Sequence, residues 1–238
     1  MSNVLTVRSA RVRADDQASG TVTDMVDFSD GSGTGPGTRS GTGPVPPRVV
    51  AYVERELPPG GIPAYRAARG SGARSFALWA DEHRRERVAT VVTLSATGGV
   101  ATFQVLGAHG ELIGTIVREK ALRGRGLRTR WTVTQPGGPE AVGFKGRILW
   151  WCVWWLCLPL MALVLVFSVL DGTPGNEGGL ARGPRRIRWR ARGQLPLEFR
   201  SGGDKLHLHS PALDWRLGAA LIALLRSFMP GSWDGRKK

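Results

Sequence analysis

Leu217 to Leu225 is apolar on every helical face, yet far too short to cross a bilayer. The stretch lies within Pro211–Phe228, where Ser210 is placed to cap a helix, Pro211 suits its first position, Asp214 lies early and Arg226 late. A helix with no polar side and no membrane to enter must be surrounded by protein. The rest of the chain has to supply a wall around it.

That wall is legible from Arg48 onward as short runs of β-branched and aromatic residues broken by glycine, proline or charged turns. Ten strands are predicted, at 48-55, 73-80, 87-94, 100-107, 112-119, 128-135, 140-146, 185-192, 196-201 and 205-209. In 128-135, Thr129, Trp131 and Val133 share one face and Arg128 and Arg130 the other, the signature of a half-buried strand with a basic outside. A weak repeat points to hairpins. Phe103 lies seven residues before Gly110, and Trp131 lies seven before Gly138. With 238 residues and 42% hydrophobic content, the chain can build one large domain or two small ones.

Residues 1–47 are poor in large apolar side chains and rich in glycine and proline, as at 31–37 and 41–47, and are expected to form a disordered tail. The folded domain is then expected over 48–229, interrupted by the apolar segment described next and followed by a short basic tail at 230–238. The first residues carry arginines but no apolar h-region or small-residue cleavage site, so a cytoplasmic start is expected. Met25 is a second candidate start.

Residues 148–170 are 23 in a row without a charge, and a continuous helix of that length reaches roughly 35 Å, enough to span a bilayer core. Trp150, Trp151, Trp154 and Trp155 crowd its first third, where indoles suit the membrane interface. Pro159 divides the segment and leaves a re-entrant hairpin open beside a full crossing. Four basic residues precede the segment (Arg128, Arg130, Lys145, Arg147) and five follow (Arg182, Arg185, Arg186, Arg188, Arg190), so the positive-inside rule sets no orientation. A single crossing would place the strands before and after it in different compartments, and basic flanks on both sides favour keeping both in the cytoplasm. Cys152 and Cys157 fall inside the segment, which excludes a disulfide framework and disfavours a reactive thiolate.

The formal charge of +14 attracts polyanions. In Arg185–Arg192 the alternation places Arg186, Arg188, Arg190 and Arg192 on one strand face opposite Ile187, Trp189 and Ala191. This is either a ledge for anionic lipid headgroups or an ordinary solvated face. A second cluster comprises Arg118, Lys120, Arg123, Arg125, Arg128 and Arg130. No RNP-like aromatic pattern or helix-turn-helix signature is present, and nucleic acid is not the expected partner. His207 and His209 alternate on one face near Asp204, but two imidazoles without a third strong ligand do not make a metal site. No nucleophile elbow, H-E-x-x-H or phosphate-binding glycine loop occurs, so neither catalysis nor a cofactor is expected.

A run of short antiparallel strands followed by a helix apolar all round resembles the tubby C-terminal-like superfamily, which includes the LURP-one-related proteins and the phospholipid scramblases. The resemblance is carried by the hairpin 103–118 and by the terminal stretch 206–225. It implies a mainly β fold: a closed or near-closed antiparallel barrel threaded by the C-terminal hydrophobic helix. Segment 148–170, inserted between strands as a transmembrane or re-entrant helix, departs from the family pattern. The glycine-rich tail and heavy arginine usage resemble those of a high-GC actinobacterial protein. What the resemblance implies for function is a non-enzymatic, membrane-associated barrel. It would contact anionic lipid through Arg186, Arg188, Arg190, Arg192, Arg128 and Arg130, on the cytoplasmic side of the cell membrane. The alternative is a membrane-tethered adaptor whose barrel binds a protein partner.

Overall fold

Along Val100–Gly107 half-buried and buried side chains alternate without a break, because successive side chains of a strand point to opposite faces. In a computed structural model of the chain, which describes residues 3–9, 24–30, 47–123, 126–145, 186–200 and 203–229, this alternation recurs around a closed wall of twelve antiparallel strands. They are β1 (Asn3–Ser9), β2 (Asp24–Asp30), β3 (Arg48–Arg55), β4 (Phe76–Trp79), β5 (Arg87–Thr97), β6 (Val100–Gly107), β7 (Leu112–Glu119), β8 (Arg130–Thr134), β9 (Ala141–Lys145), β10 (Arg186–Ala191), β11 (Gln194–Arg200) and β12 (Lys205–Leu208). Each strand pairs with the next, and β12 closes on β1, with Leu5 opposite Leu206. An even number of strands in an up-and-down meander brings the last antiparallel to the first, so the sheet closes without an unpaired edge.

All ten strands expected from Arg48 onward are present, with ends shifted by a few residues. The expectation of a disordered tail fails for two segments: Asn3–Ser9 and Asp24–Asp30 are wall strands, and the domain does not begin at Arg48. The remainder of 1–47, apart from Pro47, lies outside the described residues, as do 148–170 and 230–238. A chain beginning at Met25 would lack β1 altogether.

The interior is filled by α2 (Trp215–Ser227), the later of the two helices among the described residues. It packs against β1 and β12 on one side and β5 and β7 on the other, and every residue from Leu217 to Leu225 is buried. The wall therefore encloses a packed core rather than a channel. Space for the helix comes partly from Gly114 on β7, where an added Cβ would lie 2.9 Å from Leu217. The helix begins four residues later than Pro211, capped by Asp214 instead of Ser210, whose carboxylate accepts from the Arg216 amide at 2.8 Å. Chain leaving the wall at His209 must first cross the barrel rim. Gln135 holds that crossing by donating to the Ala212 carbonyl (3.2 Å) and accepting from the Asp214 amide (3.0 Å).

The first helix, α1 (Gly61–Ser71), bridges β3 and β4 and is not among the predicted elements. It buries only Tyr65 and contains Pro63 and Gly70, so it carries no amphipathic stripe for a sequence to display. The hairpin repeat holds with a shifted register. Gly110 has φ of 82° in the first copy, but in the second the left-handed residue is Gly137 (φ 74°), one position before the expected Gly138.

Because strands alternate in direction, the connections fall at two ends. The C-terminus of α2 emerges at the end bearing links 10–23, 56–75, 98–99, 120–129, 146–185 and 201–204; this is called the exit end below. The entry end carries the remaining links and the N-terminus of α2.

Candidate functional site

On β10 the buried residues are Ile187, Trp189 and Ala191, while Arg188 and Arg190 are exposed and Arg186 half-buried, so the expected alternation is present. Arg192 is the exception. It lies beyond the strand in the turn with Gly193, at φ 46°, and does not share the face of the other three. The face is also not purely basic. Across the ladder Arg188 lies opposite Glu198 of β11, whose side chain is 4% exposed. Arg186 donates to this carboxylate, Arg200 reaches it at 3.3 and 3.4 Å, and Arg188 lies 3.6 Å away. Three arginines thus converge on one buried acid, which neutralises part of the ledge and fixes it as a structural cluster.

Burial pushes the Glu198 carboxyl up, but the hydrogen bonds from Arg200 and Arg186 and their charges outweigh it and hold it below its ordinary value of 4.5. A depressed carboxyl contributes stability that is present above its unfolded pKa and lost as pH falls through the folded one. Glu198→Gln should therefore cost about 1–2 kcal/mol at pH 7, allowing for water around the arginine head groups. The deficit should shrink as pH drops below about 4.5. Chemical denaturation of both proteins between pH 7 and 3 checks this.

Of the other expected lipid contacts, Arg130 lies 3.8 Å from Glu119 and 3.4 Å from Glu140. Arg128 stacks on the half-exposed Phe144 ring, with its guanidinium carbon 4.6 Å from the centroid. Arg125 lies outside the described residues, as do Trp150, Trp151, Trp154 and Trp155 of the expected membrane interface. Among the described residues no helix is long and apolar enough to cross a membrane. The His207 and His209 rings stack at 6.1 Å on the outer face, but Asp204 is taken by Arg226, and no group of three metal-ligating side chains forms among the described residues. At the entry end a cavity of about 610 Å³ lies open between Phe28, Val50, Gln135, Leu213 and Trp215.

The exit end has a different surface. Exposed large apolar side chains among the described residues are Leu57, Ile62, Leu94, Leu122, Leu127, Phe144 and Leu112, and all but Leu112 lie on or next to this end. Leu122 and Leu127 are 78% and 79% exposed in the β7–β8 connection, interleaved with Lys120, Arg123 and Arg128. The 146–185 connection, which contains the uncharged run 148–170, leaves from the same end between Lys145 and Arg186. Just inside this mouth Phe228, the residue after α2, meets Phe103 and Trp131 edge-on at 6.3 and 5.8 Å. Two inward-facing arginines, Arg74 and Arg118, stack on the Phe228 ring. The sequence marks Arg118 as one member of a basic cluster. It does not mark the apolar rim, because the leucines come from separate connections and meet only where the wall ends.

Comparison with protein-family models, curated proteins and solved structures returned no match.

Proposed function

We propose that the protein is a non-enzymatic barrel that works at a membrane face, turning its exit end toward anionic lipid. One observation carries this: exposed leucines, basic side chains and the departure point of the uncharged segment 148–170 coincide at one end of the wall. Apolar side chains that enter a headgroup layer, surrounded by cations that remain at its surface, are the requirements of interfacial binding. A kinship with the tubby-like and scramblase-like barrels is supported by the closed antiparallel wall around a hydrophobic C-terminal helix. On this reading Arg128, beside Phe144, and Lys120 and Arg123, between the leucines, are the principal headgroup contacts. The β10 arginines lie along the side of the wall and add attraction at longer range.

Vesicle flotation tests the reading in the full-length protein and in a chain lacking 148–170. The full-length protein should stay with vesicles in 1 M salt, where screening reaches about 3 Å and electrostatic attachment is lost. The shortened chain should bind only anionic vesicles, only at low salt. In that chain Leu122→Ser with Leu127→Ser should weaken binding at least tenfold, since burying each leucine is worth on the order of 1.5 kcal/mol or more. A shortened chain that ignores anionic vesicles at every salt concentration would overturn the membrane-facing reading in favour of an adaptor whose apolar rim meets a protein.

A further inference from the structure

Arginines that point into a barrel are unusual when the interior is otherwise filled with leucine, isoleucine and aromatic rings. On β7 the inward residues run from Gly114 through Ile116 to Arg118, one pleat closer to the exit end than Ile116. Its neighbours across the sheet, Ala101 on β6 and Trp131 on β8, are both buried and inward-facing, which fixes the direction of the Arg118 side chain. The Arg118 guanidinium carbon lies 4.1 Å from the Phe228 ring centroid and 5.8 Å from that of Trp131. Arg74, two residues before Phe76 and facing in with it, places its own guanidinium carbon 4.1 Å from the same Phe228 centroid. The two cations are therefore no farther apart than twice that distance.

Their surroundings differ. Arg74 donates to the carbonyls of Arg69 (3.1 Å) and Ala73 (2.6 Å) at the end of α1. For Arg118, no carboxylate pairs with the guanidinium and nothing accepts a hydrogen bond from it among the described residues. Among the described residues the acids facing this mouth are Asp24, buried on β2, and Asp204, held by Arg226; neither acts on Arg118, whose guanidinium burial holds below its ordinary value. Arg118 is half-buried, so its guanidinium is only partly withdrawn from water; with no acid to meet it among the described residues, that partial burial costs stability, and ring stacking offsets part of the cost. An anion entering the mouth would supply the counter-charge that Arg118 lacks among the described residues.

We propose that the exit end of the barrel holds a phosphate-binding site in which Arg118 grips the phosphate and Phe228 and Trp131 hold its guanidinium in place. A terminal phosphate carries close to two negative charges and three acceptor oxygens, so it can engage the planar Arg118 fork and the Arg74 charge together. A carboxylate supplies only one charge. The phosphate comes either from a lipid headgroup or from a soluble phosphomonoester. The lipid source rests on the membrane-facing reading above, and the soluble source does not.

The test uses the full-length protein and Arg118→Met, melted in phosphate-free buffer and against rising inorganic phosphate, with acetate at matched ionic strength as control. In phosphate-free buffer Arg118→Met should melt at or above the wild-type temperature, because an unpaired charge has been removed. Phosphate should raise the wild-type melting temperature more than acetate does, with an apparent affinity at least tenfold higher than for the variant. Equal stabilisation of both proteins, or of neither, overturns the site. So does a variant that melts lower or fails to fold, since Arg118 then already has an internal partner. Independently of any variant, the Arg118 Nε–H resonance should shift on phosphate titration, and an unmoved resonance counts against the proposal. Vesicles with and without phosphatidic acid separate the sources. Competition by free phosphate for the phosphatidic acid vesicles identifies the lipid source. Phosphate stabilisation combined with vesicle binding that is indifferent to Arg118→Met identifies the soluble one. If Leu122→Ser with Leu127→Ser removes vesicle binding in the chain lacking 148–170 while the phosphate shift persists, the site and the membrane contact are independent features of the same end.

Discussion

Leu221→Asp should leave the chain unable to fold. Leu221 is fully buried at the centre of α2, and its helical neighbours Leu217, Leu224 and Leu225 are buried with it, so no rotamer carries a carboxylate to water. The helix cannot turn the new charge away, because wall surrounds it: β1 and β12 lie on one side and β5 and β7 on the other. Burying an unpaired carboxylate costs several kcal/mol, and loss of the leucine removes a further 2–5 kcal/mol or so. Together these approach the whole stability of a typical domain, about 5–15 kcal/mol. Near-ultraviolet circular dichroism of the soluble fraction should show no fixed tertiary packing. A variant that is soluble and melts cooperatively would mean that α2 lies on the surface. Leu221→Met, which keeps volume and polarity, should change stability by less than about 1.5 kcal/mol and serves as control.

Removal of residues 1–30 should be nearly as severe, although composition marks this region as dispensable. The deletion takes away β1 and β2 and with them the buried Leu5, Val7 and Val26, each worth roughly 1.5–3 kcal/mol of apolar burial. It also strips the pairing partner from β12 on one side and from β3 on the other. Two unpaired edges then flank an opening through which α2 meets water, an arrangement prone to aggregation. The truncated chain should lose its cooperative melting transition and bind a dye specific for exposed apolar surface. An unchanged melting temperature would show that the wall closes without these strands.

The reason β1 and β2 escape notice lies in their neighbourhood. Leu5 and Val7 alternate with Thr6 and Arg8, and Val26 with Met25, but each run is short: polar and charged residues follow the first and a glycine-rich stretch follows the second, and these dominate any window average. Asp24 and Asp27 count further against a strand, aspartate being depleted there, yet both are buried in the wall, with Arg8 donating to Asp27. By contrast, 100–107 and 112–119 match β6 and β7 end to end, because β6 alternates without a break and a tight turn with a left-handed glycine separates the two strands. The candidate site divides in the same way. The alternation that sets Arg186, Arg188 and Arg190 outward could be read directly. The buried Glu198 that gathers Arg186, Arg188 and Arg200 could not, since it lies on a different strand.

Periodicity and hydropathy alone were enough to determine that the chain builds antiparallel strands and that Leu217–Leu225 must be enclosed, because both follow from which side chains tolerate water at spacings of two and 3.6 residues. Only the tertiary structure decided that the wall closes through Asn3–Ser9 against Lys205–Leu208. It also decided that Arg118 points inward while Arg128 stacks outside on Phe144, and that leucines from separate connections share one rim. The closure depends on pairing between residues some two hundred positions apart in the chain, and the others on how neighbouring strands and connections are brought together. A local pattern records the preference of each face for water or for core. It contains no information on which distant strand supplies the other side.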